Sequence, residues 1–394
     1  MTTDRFDQPL LEINGPRGEV DLFKLDVNGN TLWSYSFEGN GRYPVPVVLS
    51  TNREGDSVLF SNSVNGSRLQ PFAALVDAAG AVRWRLDPVE VAGRYWDPMT
   101  VAVGASGSAT VVGFADEPVD LGGGLLGGMA RHSFVFQLDA AGSHVWSLGL
   151  GGLIDLPELA SFADGSVLLA GTLTGRVRFG AIELSSEQPA PFVAKLSPDG
   201  QAVFARLFAT QQAAAIHDLA VAENGTSYVA LAFSDALDLG TEVLRAEQAR
   251  TRALIKLAPD GQPEWSRVLG ANMIQVSLAT SKADELVMAA GFRNTISLGD
   301  QDLNAGEWST FAAKLDASGR VTWLQQWQGS PEVSPDVVAQ RCGGVFVGVS
   351  FRKEYDTGRE LLTNMRPPPE VPIERYVTAG QTSAALLHFG ASGR

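Results

Sequence analysis

The chain has 394 residues, with 44 acidic against 30 basic side chains and a formal charge of −14. That balance, without any basic cluster, argues against nucleic acid as a partner, since each phosphate contact needs a Lys or Arg. No apolar run approaches the ~20 residues of a membrane-spanning helix, so no membrane insertion is expected, and the single cysteine, Cys342, excludes an internal disulfide.

The first nine residues, Met1 to Pro9, lack the basic and apolar regions of a signal peptide. The expected location is therefore the cytoplasm, or outside it if a leader has been removed. After a short apolar strand near Leu10-Leu11-Glu12-Ile13 comes the segment KLDVNGNTLW (24–33), which recurs as LVDAAGAVRW (75–84), QLDAAGSHVW (137–146), KLSPDGQAVF (195–204), KLAPDGQPEW (256–265) and KLDASGRVTW (314–323). A truncated HFGASGR closes the chain at 388–394. The turn glycines Gly29, Gly80, Gly142, Gly200, Gly261, Gly319 and Gly393 are 51, 62, 58, 61, 58 and 74 residues apart. Helical-pair repeats are shorter, at roughly 33 to 47 residues, and show apolar positions at i, i+3, i+4 and i+7. Here the apolar runs are short and end in turns such as Pro198-Asp199-Gly200, where proline presets φ and glycine closes a hairpin.

Upstream of each hairpin lies a strand, turn and strand, clearest in Asp218–Gly225 followed by Tyr228–Phe233. A further turn follows at Leu121-Gly122, Phe179-Gly180, Leu239-Gly240, Leu298-Gly299 and Thr357-Gly358. The glycine-rich stretch Gly122–Gly128 reads as a flexible loop within one repeat. The last repeat carries a proline-rich insertion over 364–379, with Pro367-Pro368-Pro369 favouring an extended form that can be presented to a partner.

Four residues after each turn glycine stands a large aromatic, Trp33, Trp84, Trp146, Phe204, Trp265 or Trp323. Each is expected to pack between neighbouring sheets and to bury roughly 150–250 Å². The Leu-Asp-x-x-Gly-x-x-x-Trp motif, with its upstream Ala-Val-x-x-x-Gly strand, resembles the seven-bladed β-propeller repeats of bacterial surface and secreted proteins. It is also distantly similar to the quinoprotein tryptophan-docking repeat. The expected fold is all-β: a single β-propeller domain over 1–394 with four-stranded blades, seven in number or alternatively six. The ring would be closed by pairing of N- and C-terminal strands.

Catalytic motifs are absent around the four histidines, His132, His144, His217 and His388. Counting back seven from the upstream glycine places Thr100, Glu158, Asp218 and Asp336 in equivalent positions, with Val48 in the second repeat. Three carboxylates around one mouth of the channel can hold a divalent cation such as calcium, or do acid/base work, or cap N–H groups of a neighbouring blade. His217 precedes Asp218 at the same mouth. Tyr95 and Trp96, with Arg366, Pro368 and Tyr376 of the insertion, are the candidate partner-binding residues.

The expected function is a non-catalytic interaction or scaffold propeller that holds a protein partner through one face and the 364–376 segment. A carbohydrate-binding propeller is the alternative, and a metal-dependent hydrolase or lactonase using the channel carboxylates is a third reading.

Overall fold

The computed structural model describes residues 2–3, 8–14, 20–26, 30–37, 47–52, 54–65, 68–86, 96–281, 284–305, 307–339, 344–356, 361–363, 375–379 and 382–389. Among them there are strands and turns and no helix. Four successive antiparallel strands make one sheet, and the pattern repeats along the chain. Five such sheets are separate, and two more are joined because the strand Val321–Ala339 serves as the outer strand of one and then as the inner strand of the next.

The innermost strands are Thr2–Thr3, Val47–Thr51, Trp96–Val103, Ile154–Ser161, Ala215–Val221, Met273–Thr280 and the second half of Val321–Ala339. Each touches the next in chain order, and the last touches the first. This closed cycle of inner strands, with sheets radiating from it, is a β-propeller.

The apolar cores lie between adjacent sheets. Tyr228, Leu254, Met288 and Phe311 share one such layer, Phe162, Leu168, Leu231 and Ile255 the preceding one. The first and last sheets meet through Leu25 and Phe346, with Phe23 alongside. The ring therefore closes by face-to-face packing and not by a shared strand. The expected strand exchange does not occur because Pro9–Asn14 pairs within the first sheet, with Val20–Leu25. The last sheet instead takes its outer strand, Arg375–Ala379, from the insertion.

The repeated hairpin is built as the motif dictates. Asp139 Oδ1 accepts the N–H groups of Ala141 and Ser143 at 2.8 and 2.9 Å, and Asp77 and Asp316 do the same in their turns. This is why aspartate opens the turn: it satisfies backbone donors that the tight reversal strands. Ser197 holds the same place with its hydroxyl, which accepts from Gln201 N–H at 3.1 Å.

The motif aromatics dock on the following hairpin. A Cβ added to Gly200 would lie 2.6 Å from the Trp146 ring, and one added to Gly261 would lie 2.6 Å from Phe204. Trp146 Nε1 donates to Pro198 O at 3.0 Å, Trp33 Nε1 to Ala78 O at 3.1 Å and Trp265 Nε1 to Ala317 O at 3.0 Å. Trp33, Trp146 and Trp265 thus tie their blades to the next through a ring face and one hydrogen bond, whereas Trp84 docks on Gly142 by its ring alone, its Nε1 without a partner.

The Gly122–Gly128 stretch is a fitted strap, where the sequence suggested a flexible loop. It lies along the outer strand His144–Gly149, and a Cβ on Gly123 would meet the His144 ring at 2.6 Å. Gly127 sits against His132 in the same way. Gly122, Gly123 and Gly127 are there because the backbone rests directly on side chains, whereas Gly124 and Gly128 face open space.

Candidate functional site

Strand register puts Val48, Thr100, Glu158, Asp218, Ser277 and Asp336 at one level of the inner strands, opposite Phe60, Val112, Ala170, Ala230, Ala289 and Gly348. Counting from turn glycines misses Ser277, because its repeat has Asp284 where the others have glycine. Asp284 holds the left-handed turn position at φ 59°, and counting back seven from it recovers Ser277. A β-bulge precedes the level in each of the third to seventh sheets. An extra residue there re-aims the following side chain toward the axis.

Asp218 spends both oxygens on backbone. Oδ1 accepts Leu219 N–H at 2.7 Å, and Oδ2 accepts Leu278 N–H of the next sheet at 2.6 Å. One blade further on, Ser277 Oγ accepts Val337 N–H at 3.2 Å and donates to Asp336 Oδ1 at 3.0 Å. Asp336 Oδ1 also accepts Val337 N–H at 2.9 Å. A neutral serine and a charged aspartate thus make the same inter-blade bond from the same position.

The carboxylates are close enough to perturb one another. Burial pushes Glu158 up to about 8, with Asp218 and Asp336 adding to it. Asp218 is pushed up to about 7 by burial, against the N–H groups of Leu278 and Leu219, with Asp336 raising it further. Among the described residues, no group of three or more His, Cys, Asp or Glu side chains is placed to hold a metal ion.

His217 occupies the bulge between Ile216 and Asp218. Burial brings its imidazole down to about 4, helped by the cations of Arg252 and Arg250. It is therefore neutral at pH 7 and belongs to a cationic corner rather than to the carboxylate level.

Of the partner-binding candidates, Trp96 is 3% exposed, its ring 5.6 Å from Phe134, 5.8 Å from Phe136 and 6.3 Å from Phe60. It is a core residue of the third sheet and offers no face to a ligand, a correction that follows from the three phenylalanines surrounding it. Tyr95, Arg366 and Pro368 lie outside the described residues. The backbone of Tyr376 lies in the outer strand of the last sheet, opposite Ala385.

Among the described residues the most exposed large apolar side chains are Met129 at 79%, Leu125 at 70% and Leu156 at 59%. Sequence periodicity does not single these out, because each sits outside the repeated motif. Leu125 and Met129 belong to the connection between Ala109–Ala115 and His132–Leu138, and Leu156 to the start of the next inner strand. All three are at the end of the ring away from the tight hairpins. Leu156 is held there in left-handed backbone, φ 49°.

No protein-family model matches the chain, and no curated relative matches it. Solved structures that are similar include a protein of unknown function from Bacteroides caccae, 13% identical, covering 81% of this chain and 93% of that one with a TM-score of 0.43. Another is a protein of unknown function from Dyadobacter fermentans, 10% identical, covering 86% and 93% with a TM-score of 0.44. A europium-containing methanol dehydrogenase is 11% identical, covering 88% and 81% with a TM-score of 0.38. Similarity at this level assigns no activity.

Proposed function

We propose that the chain is one non-catalytic propeller that binds a protein partner on the face carrying the long connections. The observation behind this reading is the exposure of Leu125, Met129 and Leu156 on that face. Exposed apolar side chains on one face supply surface that a partner would cover, and a leucine kept in left-handed backbone is the kind of strain that persists where function requires it. The 364–376 segment, with its prolines, is proposed as a second contact for that partner.

The channel carboxylates are read as inter-blade caps rather than cation ligands or catalysts, since Ser277 does the same work without charge. The framework tryptophans are spent on docking, which disfavours a sugar-stacking role for them. Their stacking on turn glycines supports kinship with the tryptophan-docking repeat at the level of architecture.

The test is a photo-crosslinking residue placed at Met129 and, in a second protein, at Val203, an exposed outer-strand position. A discrete partner captured from position 129, lost with Leu156→Asp and not captured from 203, would support the reading. Equal capture from both positions would refute it.

A further inference from the structure

A charge that appears at one position of the repeat in a single copy, and is buried there, calls for an account of its own. Four residues before the lysine position of the motif, six copies carry Val20, Pro71, Ser133, Pro191, Thr310 and Ala384, and one carries Arg252. The register agrees: Arg252 faces Ala232 as Ser133 faces Phe114 and Thr310 faces Gly291. Only this copy places a guanidinium where its siblings place a small or uncharged side chain.

Arg252 as a residue is 6% exposed. One N–H is donated to Arg250 O, while Nε is buried without an acceptor. No ion pair among the described residues reaches it. The charged groups that act on it and on its neighbour are cations: Arg250 on Arg252, and both arginines on His217. In a chain with 44 acids against 30 bases, the strand that carries Arg252 is separated by one strand from the inner strand that carries His217, and among the described residues no ion pair to a carboxylate is formed by either arginine. A buried charge left without a counter-charge is strongly unfavourable, and such an arrangement is retained where something else supplies the missing charge.

We propose that Arg252, Arg250 and His217 form a binding site for a small oxyanion, a carboxylate or a phosphate, entered from the long-connection face. The planar fork of Arg252 suits two oxygens of such a group. Neutral His217 supplies one further N–H donor. Arg250 is exposed, and its backbone, at φ 61°, is fixed by N–H donation to Ser234 Oγ at 3.0 Å, so its charge guards the entrance. The site does not depend on whether the same face binds a protein.

The test is titration of arginine-¹⁵N-labelled protein with sodium phosphate and, separately, with sodium succinate, following the Arg252 Nε–H resonance. A saturable shift is expected with at least one probe, and which probe saturates names the ligand class. Arg250→Met should weaken that affinity at least tenfold. In anion-free buffer, Arg252→Met should raise the melting temperature, because an apolar chain of similar length replaces an uncompensated charge; the saturating anion should then stabilise the wild type and not this variant. A linear, non-saturating drift with both probes, or a lower melting temperature for Arg252→Met in anion-free buffer, would overturn the proposal.

Discussion

Glu158→Gln isolates the consequence of crowding carboxylates at one level of the channel. The Glu158 carboxyl is raised to about 8 from an ordinary 4.5, first by burial and then by Asp218 and Asp336. At pH 7 the folded chain therefore holds a proton on Glu158 that the unfolded chain has released. Folding takes up that proton, so its contribution to stability is fully present below pH ~4.5 and is lost as pH rises through about 8. At ~1.36 kcal/mol per unit, a shift of this size sets a ceiling of about 5 kcal/mol. Glu158 is partly accessible, and the effective dielectric beside solvent lowers that figure to ~2–3 kcal/mol. Glutamine keeps the shape and carries no charge at any pH. Urea unfolding at pH 5, 7 and 8.5 should give variant and wild type within ~1 kcal/mol at pH 5, and a variant more stable by ~2–3 kcal/mol at pH 8.5. Parallel pH profiles for the two proteins would show that Glu158 ionises freely in the folded state, and the reasoning would fail.

Gly200→Ala places a methyl group 2.6 Å from the Trp146 ring at a φ of 78°; overpacking and left-handed strain together should cost ~2–4 kcal/mol in chemical denaturation. Asp218→Ala strands the Leu278 N–H and should cost ~1–3 kcal/mol, whereas Asp218→Ser should recover part of this, as Ser277 does one blade on. Melting curves with added calcium or with EDTA should coincide, because both oxygens of Asp218 already accept backbone N–H groups; a calcium-linked rise abolished by Asp218→Ala would restore the cation reading. The Lys256 side chain is 6% exposed, and its Nζ lies 3.3 Å from a carboxylate oxygen of both Asp284 and Glu264. Lys256→Ala, which leaves Asp284 without its cation, should destabilise by ~3–5 kcal/mol in the same assay.

The architecture was legible because it rests on residues that must recur. Turn aspartate, turn glycine and docked aromatic each solve a problem that every blade shares, so their spacing exposes the four-stranded unit. Closure was not legible, because it depends on which strands the first and last repeats already possess. Thr2–Thr3 and Arg375–Ala379 complete their own sheets, and neither segment carries the motif. The packing of Gly122, Gly123 and Gly127 was not legible for a related reason. Glycine serves equally for a turn and for close approach, and only the positions of His144 and His132 decide between them. Trp96 likewise has the composition of a ligand-facing aromatic, and burial alone shows otherwise.

The carboxylate level looked like a site because three acids share one register, and register is what a repeat supplies without any selection for chemistry. Ser277 separates the two possibilities: where the acid is replaced, the inter-blade bond survives, so the bond and not the charge is what the position requires. The opposite holds at Arg252. Its position demands nothing charged in the other six copies, and no hydrogen bond of the framework needs a guanidinium there. A residue whose removal would ease burial and harm no repeated contact has to be accounted for by something outside the repeat. In a ring of near-equivalent sheets, specific function is therefore to be sought at such departures, and Arg252, buried with its Nε lacking an acceptor, is one of them among the described residues.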